Sequence, residues 1–176
     1  MPHVLISGRT ESGKSTLARQ IASLRKAQGR GVLVLDPVQD KPWQCDFLTM
    51  EQEEFLRVVW ASQSCDVFVD EAGDMIGHYD KLMIQLASRG RHFQWREGVY
   101  GGGHNCYFIM QRPAMCSPTI RTQCKKLYAF QQDIEDAIAL KKAWGHEELL
   151  QAPALGQGEY IYCERFHAMQ RGRVLF

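Results

Sequence analysis

The sequence predicts an α/β protein: a central, mostly parallel sheet flanked by helices, with a C-terminal hairpin. Three observations carry this. Short, almost wholly apolar runs recur along the chain and alternate with segments of helical periodicity. The first run, His3-Val4-Leu5-Ile6-Ser7, passes straight into the glycine-bearing stretch Gly8-Arg9-Thr10-Glu11-Ser12-Gly13-Lys14-Ser15-Thr16 and then into a helix. Near the end, Tyr160-Ile161-Tyr162-Cys163 and Arg173-Val174-Leu175-Phe176 read as the two arms of a hairpin around Gly172.

The bulk properties narrow the function classes. A length of 176 residues fits one domain over 1–176. With 45% hydrophobic and 23% charged residues, the composition is that of an ordinary soluble protein. The net charge of +1 means that any nucleic-acid surface must be a local patch. No apolar stretch reaches membrane-span length, and the opening residues read as strand and not as a signal peptide. The six cysteines form no C-x-x-C pair. Several fall in apolar runs, as small core residues of a protein in a reducing compartment would.

The elements follow in order. Leu17, Ile21 and Leu24 mark a helix that runs to about Gln28 and stops at Gly29-Arg30-Gly31. Val32–Leu35 is a second buried strand, ended by Asp36-Pro37. Residues 37–48 are expected to be loop. Thr49-x-x-Gln52 reads as a capping box opening a helix to about Ser62, with Phe55, Leu56, Val59 and Trp60 inward. Asp66–Val69 is a third strand, ending in Asp70-Glu71. Asp80 is expected to cap a helix carrying Leu82, Met83, Leu86 and Ala87, closed by Ser88-Arg89-Gly90-Arg91-His92.

Residues 93–104 hold three successive glycines together with Trp95, Arg96, Tyr100 and His104. They read as a mobile loop that brushes nucleic acid or, equally, as a surface hairpin. Cys106–Met110 is the fourth strand and ends in Gln111-Arg112-Pro113. Ser117-Pro118 is an N-cap with proline at the first helical position. Leu127–Phe130 is a fifth strand. Asp133 caps a helix with Ile134, Ala137, Ile138 and Trp144 inward, ending at Gly145.

The chemistry concentrates in a few places. Gly8–Thr16 fits G-x-x-x-x-G-K-[ST], the phosphate-binding loop. Its glycines let successive N–H groups converge on one anion, and the following helix adds the positive end of its dipole. Lys14 reaches β- and γ-phosphates, and the Ser15 hydroxyl holds Mg²⁺. An apolar strand ending in two acids downstream is the Walker B pattern: Asp70 for the Mg²⁺ shell and Glu71 to activate water. Gln111, at a strand's carboxyl end, lies where α/β sheets bind ligands and is placed to sense the γ-phosphate or the attacking water. Arg89, Arg91 and His92 on a glycine turn suit phosphate, from a neighbour's nucleotide or from DNA. From charge alone a solvated basic turn is the favoured reading.

Four ordered signals now stand together: Gly8–Thr16, Asp70-Glu71, Gly90-Arg91-His92, and Gln111-Arg112-Pro113 with Pro118-Thr119-Ile120-Arg121. Over roughly residues 3–145 they resemble the FtsK–HerA superfamily of DNA-pumping ATPases. Within it the chain looks most like the genome-packaging ATPases of double-jelly-roll viruses. The resemblance implies a RecA-like P-loop NTPase of the additional-strand, catalytic-glutamate kind, with a strand between the P-loop and Walker B strands. It implies ATP and Mg²⁺ as ligands, and a homo-oligomeric ring, usually hexameric, with nucleotide at subunit interfaces. It implies an arginine finger supplied in trans, for which Arg91 is the first candidate and Arg89 the second. Gln111 matches the polar sensor. Double-stranded DNA and a viral capsid or portal-vertex protein are the implied partners, and host cytoplasm or the packaging vertex the implied location. DNA contacts are expected at Trp95, Arg96 and Lys125 or Lys126. Two departures stand out: the 93–104 insertion is long for the family, and the further N-terminal or membrane domain of cellular pumps is not expected. Both favour a compact viral enzyme. The rival readings are a plasmid or chromosome pump of the same superfamily, a nucleotide-gated assembly module with little turnover, and a small-molecule kinase with 89–104 as lid.

Overall fold

The computed structural model describes residues 3–70, 84–96, 98–165 and 167–176. The expectations placed on Glu71, Asp80, Leu82 and Met83 therefore lie outside the described residues. The elements, in order, are β1 (His3–Ser7), α1 (Lys14–Ala27), β2 (Val32–Leu35), β3 (Phe47–Thr49), α2 (Gln52–Ala61) and β4 (Asp66–Val69). A helical segment at 84–89 (α3) precedes β5 (Gln94–Arg96), β6 (Val99–Gly101), β7 (Asn105–Met110) and α4 (Pro118–Gln123). Then come β8 (Cys124–Ala129), α5 (Ile134–Trp144), a 3₁₀ helix (Glu147–Ala154), β9 (Glu159–Glu164) and β10 (Gln170–Arg173).

Eight strands form one sheet in the order β10-β9-β8-β1-β7-β4-β2-β3. From β8 through β3 the pairings are parallel, while β9 and β10 run antiparallel. β7 lies between β1 and β4, so the strand expected between the P-loop and Walker B strands is there. β1, β2 and β4 are buried at every residue, which is why their sequences are apolar apart from His3, Ser7 and Asp66 at strand ends. Period-two alternation still assigns faces. Val4, Ile6, Val34 and Phe68 pack with Leu17 and Ala18 of α1 on one side. Leu5, Leu35, Val67 and Val69 pack with Phe55, Leu86, Ile120 and Leu140 on the other.

α1 ends as its sequence predicts. Gly29, at φ 75°, lets the Gly29 N–H reach Lys26 O and the Arg30 N–H reach Arg25 O, each at 3.0 Å. Ser117 caps α4, accepting from Thr119 N, with Pro118 at its first turn. All six cysteines are free, and five are buried.

Several expectations are corrected. The 37–48 loop ends in β3, an edge strand that pairs Phe47–Thr49 with Leu33–Leu35; three residues are too short a run to show a period. That pairing draws Thr49 into the sheet, so the capping box does not form. Glu51 holds the N-cap position, and Thr49 Oγ1 instead accepts from Glu51 N and donates to Glu54 Oε2 at 2.6 Å. In α2, Phe55, Leu56 and Val59 are buried but Trp60 only partly. α5 turns Ala137, Leu140 and Trp144 inward and leaves Ile134 and Ile138 exposed, because its buried face includes Asp136, which accepts from Ala114 N at 2.9 Å. Asp133 sits at the α5 N-cap without a side-chain cap bond. The fifth strand starts at Cys124, three residues early.

The last hairpin's second arm is Gln170–Arg173. Gly172 lies within it, opposite Tyr160, where a Cβ would overlap the tyrosine ring. Of the two readings open for 93–104, the hairpin is the one observed: β5 and β6 pair Trp95 with Tyr100. His104 is not on it. It is fully buried, its Nδ1 accepting from Cys65 N and its Nε2 donating to Val59 O.

Candidate functional site

The phosphate loop is built by β1, β8 and α1 together. Past Ser7 the chain turns sharply. Gly8 N donates to Met110 O at 3.2 Å and Arg9 N to Gln131 O at 2.8 Å. A Cβ at Gly8 would lie 2.6 Å from Phe130 Cβ, so only glycine fits. Gly13, at φ 108°, is the N-cap of α1, and no L side chain adopts that angle without strain. Glu11, at φ 62°, completes the curl.

Two observations inside this loop fit an anion. The Ser12 hydroxyl is buried and finds no hydrogen-bond partner among the described residues. Lys14 is only 5% exposed, yet its ammonium donates to Arg9 O at 3.5 Å, the limit of a hydrogen bond. A buried cation so weakly held, at the amino end of a 14-residue helix, matches a phosphate in charge and geometry.

Two carboxylates stand beside it. Asp70 follows β4 and Asp36 follows β2, and Asp70 N donates to Leu35 O at 2.9 Å. Both are buried, and both line a cleft of about 640 Å³ with Lys14, Ser15 and Thr16. Ser15 and Asp70, the predicted metal pair, thus share one cleft, and their oxygens are the donor type that Mg²⁺ takes. Gln111, one residue past β7, accepts from Thr10 Oγ1 at 3.1 Å, so the predicted sensor is joined to the phosphate loop itself.

Arg89 and Arg91 are elsewhere. Gly90 O accepts from His104 N, immediately before β7 begins, while Gln111 follows the strand's far end. Six parallel-strand residues span roughly 20 Å, more than an arginine side chain covers. Arg91 donates to His92 Nε2 at 3.1 Å, and its charge helps to hold the buried His3 imidazole down at about 4. The arginine turn is therefore at the amino edge of the sheet and the phosphate loop at the carboxyl edge. Lys125 and Lys126 begin β8 at that same amino edge, where Lys126 pairs with Glu164 at 3.7 Å. Trp95 is 64% exposed.

Sequence reasoning missed a third contribution, from residues 150 places or so along the chain. Gly158 N donates to Ser12 O at 2.9 Å and Gln157 Nε2 to Glu11 O at 3.2 Å. Gln20 Nε2 donates to Leu175 O at 2.9 Å, and Phe176 lines the cleft. No local signal marks these residues. Asp36 did carry one: an acid at the carboxyl end of a buried strand. Its Oδ1 accepts from Val38 N and Gln39 N and its Oδ2 from Trp43 Nε1, which fixes the 37–43 wall of the cleft.

With this geometry in hand, comparison with solved structures is decisive for the fold. The chain superimposes on the genome packaging NTPase B204 of Sulfolobus turreted icosahedral virus 2, in complex with AMPPCP, at a TM-score of 0.77 and 15% identity. The match covers 99% of this chain and 98% of that one. The fold is that of the P-loop NTPases. The conjugation coupling protein TcpA of pCW3, with ATPγS, matches at a TM-score of 0.71 and 16% identity over 98% of this chain and 59% of its own. The cytoplasmic domain of the Thermomonospora curvata type VII secretion ATPase EccC matches at 0.67 and 15% over 99% of this chain and 25% of its own. No family model and no curated protein matches the sequence. Among the described residues, no helix is long and apolar enough to cross a membrane.

Proposed function

We propose that the chain is an ATPase of the FtsK–HerA superfamily that moves double-stranded DNA, as a viral genome-packaging motor does. The observation that carries this reading is the split of the machinery between the two edges of one sheet. The phosphate loop, Asp70 and Gln111 converge at the carboxyl edge, while Arg89 and Arg91 stand at the amino edge, beyond reach of their own loop. Such a chain completes its site with a neighbour, head to tail, in a ring of the hexameric kind. The motif resemblance and the fold likeness meet on a packaging NTPase.

In this reading the N–H groups of Gly8–Thr16 and the Lys14 ammonium hold the phosphates of ATP. Ser15 and Asp70 would hold Mg²⁺, which would offset the negative charge of the phosphates. Glu71, next to Asp70 in the chain, takes the proton of the attacking water. Gln111, tied to Thr10, places that water or reads the γ-phosphate. Arg91, or else Arg89, arrives from the adjacent subunit and stabilises charge on the transferred phosphoryl group, a contribution worth about 10³-fold or more. Trp95, Arg96 and Lys125 or Lys126 supply contacts to the DNA backbone, salt-dependent and blind to sequence. A capsid or portal-vertex protein would seat the ring, in host cytoplasm or on the virion.

The test is steady-state ATP hydrolysis with and without linear double-stranded DNA, with Lys14→Ala as control. A Lys14-dependent rate that DNA raises several-fold is the expected result. Nucleotide binding without turnover, at protein concentrations high enough for assembly, would leave a gated assembly module instead.

A further inference from the structure

Beside the phosphate cleft lies a second recess of about 470 Å³, and the two share Thr16, Arg19, Lys41 and Phe176 as lining. They form one continuous trough along the flank of α1. The ring of Phe176 stands at their junction, 74% exposed. It is nonetheless held in place. Buried Val174 donates from its N–H to Gly158 O at 2.8 Å, and Leu175 O accepts from Gln20. The ring rests on Gly13 and Gly158. Cβ atoms at those positions would come within 3.3 and 3.0 Å of its carbons, and their φ angles of 108° and 80° already exclude side chains. Two ring carbons, Cζ and Cε2, therefore lie against bare backbone at Gly13 of the phosphate loop and at Gly158, while most of the residue remains exposed.

An exposed apolar ring has no use to a polyanion. It suits the part of a nucleotide that is flat and apolar. Asp70 marks the end of the cleft where the terminal phosphate belongs. The nucleoside end then leaves past Gly13 and Thr16, the side on which Gln157 and Phe176 pack. Polar groups deeper in the recess are largely engaged with one another: Ser23 Oγ with Gln44 Oε1, Gln20 Nε2 with Leu175 O, and Arg19 Nη2 with Asp40. Stacking, which every base can satisfy, is left as the main handle.

We infer that Phe176 is the platform on which the nucleobase of a nucleoside triphosphate stacks, with the recess between α1 and residues 41–44 receiving base and ribose. This rests on the reading of the cleft as a nucleoside-triphosphate site, and the experiment separates the two. Calorimetric affinities for AMPPCP and for inorganic tripolyphosphate are measured on the intact chain and on Phe176→Ala, Phe176→Trp and Lys14→Ala. Phe176→Ala should weaken AMPPCP roughly ten-fold or more and leave tripolyphosphate, which has no base, unchanged. Phe176→Trp should keep AMPPCP affinity, and its added indole fluorescence should change with AMPPCP but not with tripolyphosphate. Lys14→Ala should lose both ligands. Unchanged AMPPCP affinity in Phe176→Ala, or an equal loss of both ligands, would remove the platform while leaving the phosphate cradle standing. Failure of the intact chain to bind either ligand would remove both readings.

Discussion

Single side chains at the two edges of the sheet do different work. At the carboxyl edge, the buried Asp36 carboxylate accepts from two backbone N–H groups and an indole. Asp36→Ala would strand all three donors, at a cost of about 3 kcal/mol, since hydrogen bonds to an ionised group are the strong ones. The denaturant midpoint measures it, and a loss below about 1 kcal/mol would show that the loop does not depend on this carboxylate. At the amino edge, His3 Nδ1 accepts from Cys106 N, and burial first, Arg91 second, lower its pKa to about 4. Burial likewise lowers His104. A folded-state pKa below the unfolded value of 6.5 means that the unfolded chain binds the proton first. Stability is then full above pH 6.5 and falls as pH drops toward 4, by about 3 kcal/mol for His3 once both states are protonated. Unfolding midpoints between pH 7 and 4 should show a slope that is shallower in His3→Gln. An identical slope in that variant would take His3 out of the account.

Elements show how backbone fit decides where a motif ends up. The β5–β6 hairpin lies against α2 because Gly101 has no side chain: a Cβ there would overlap the carbonyl of Trp60. Gly101→Ala should therefore lift the hairpin off α2 and open 93–101 to proteolysis. Nucleotide affinity should hold, because the phosphate loop is at the other edge of the sheet. Loss of nucleotide binding in that variant would mean that the two edges are coupled. The opposite arrangement holds at Gly13, where φ 108° and the ring of Phe176 both exclude a side chain. Gly13→Ala should damage the phosphate loop itself and abolish binding, as a direct titration with nucleotide would reveal.

For the whole molecule, the proposed function has the consequence that one chain would hold half of each site. If Arg91 serves a neighbour, Lys14→Ala and Arg91→Ala chains should each be inactive alone. Mixed, they should regain a fraction of the parental ATPase rate, because some interfaces then join an intact phosphate loop to an intact arginine. Specific activity of the parental chain should also rise with its concentration. No recovery on mixing, with both variants folded and assembled, would place Arg91 outside the site. The same exchange run with Arg89→Ala decides between the two arginines.

The sequence by itself determined the parts whose physics is local. Gly8–Thr16 could be read because a phosphate loop needs glycine, lysine and a hydroxyl at fixed spacing, and Asp70 and Gln111 because each ends a continuous apolar strand. The buried strands were legible for the same reason: a parallel strand covered on both faces is apolar along most of its length. Tertiary structure decided what depends on distant partners. β3 exists because β2 offers it an edge, and Thr49 lost its capping role to that pairing. α5 turned Asp136 and Leu140 inward, where Ala114 N donates to the Asp136 carboxylate. Gln157, Gly158 and Phe176 reached the phosphate loop only when β9 and β10 closed the sheet beside β8. Contacts between residues some 150 positions apart leave no period or spacing in the chain, and it is such contacts that set the far wall of this site.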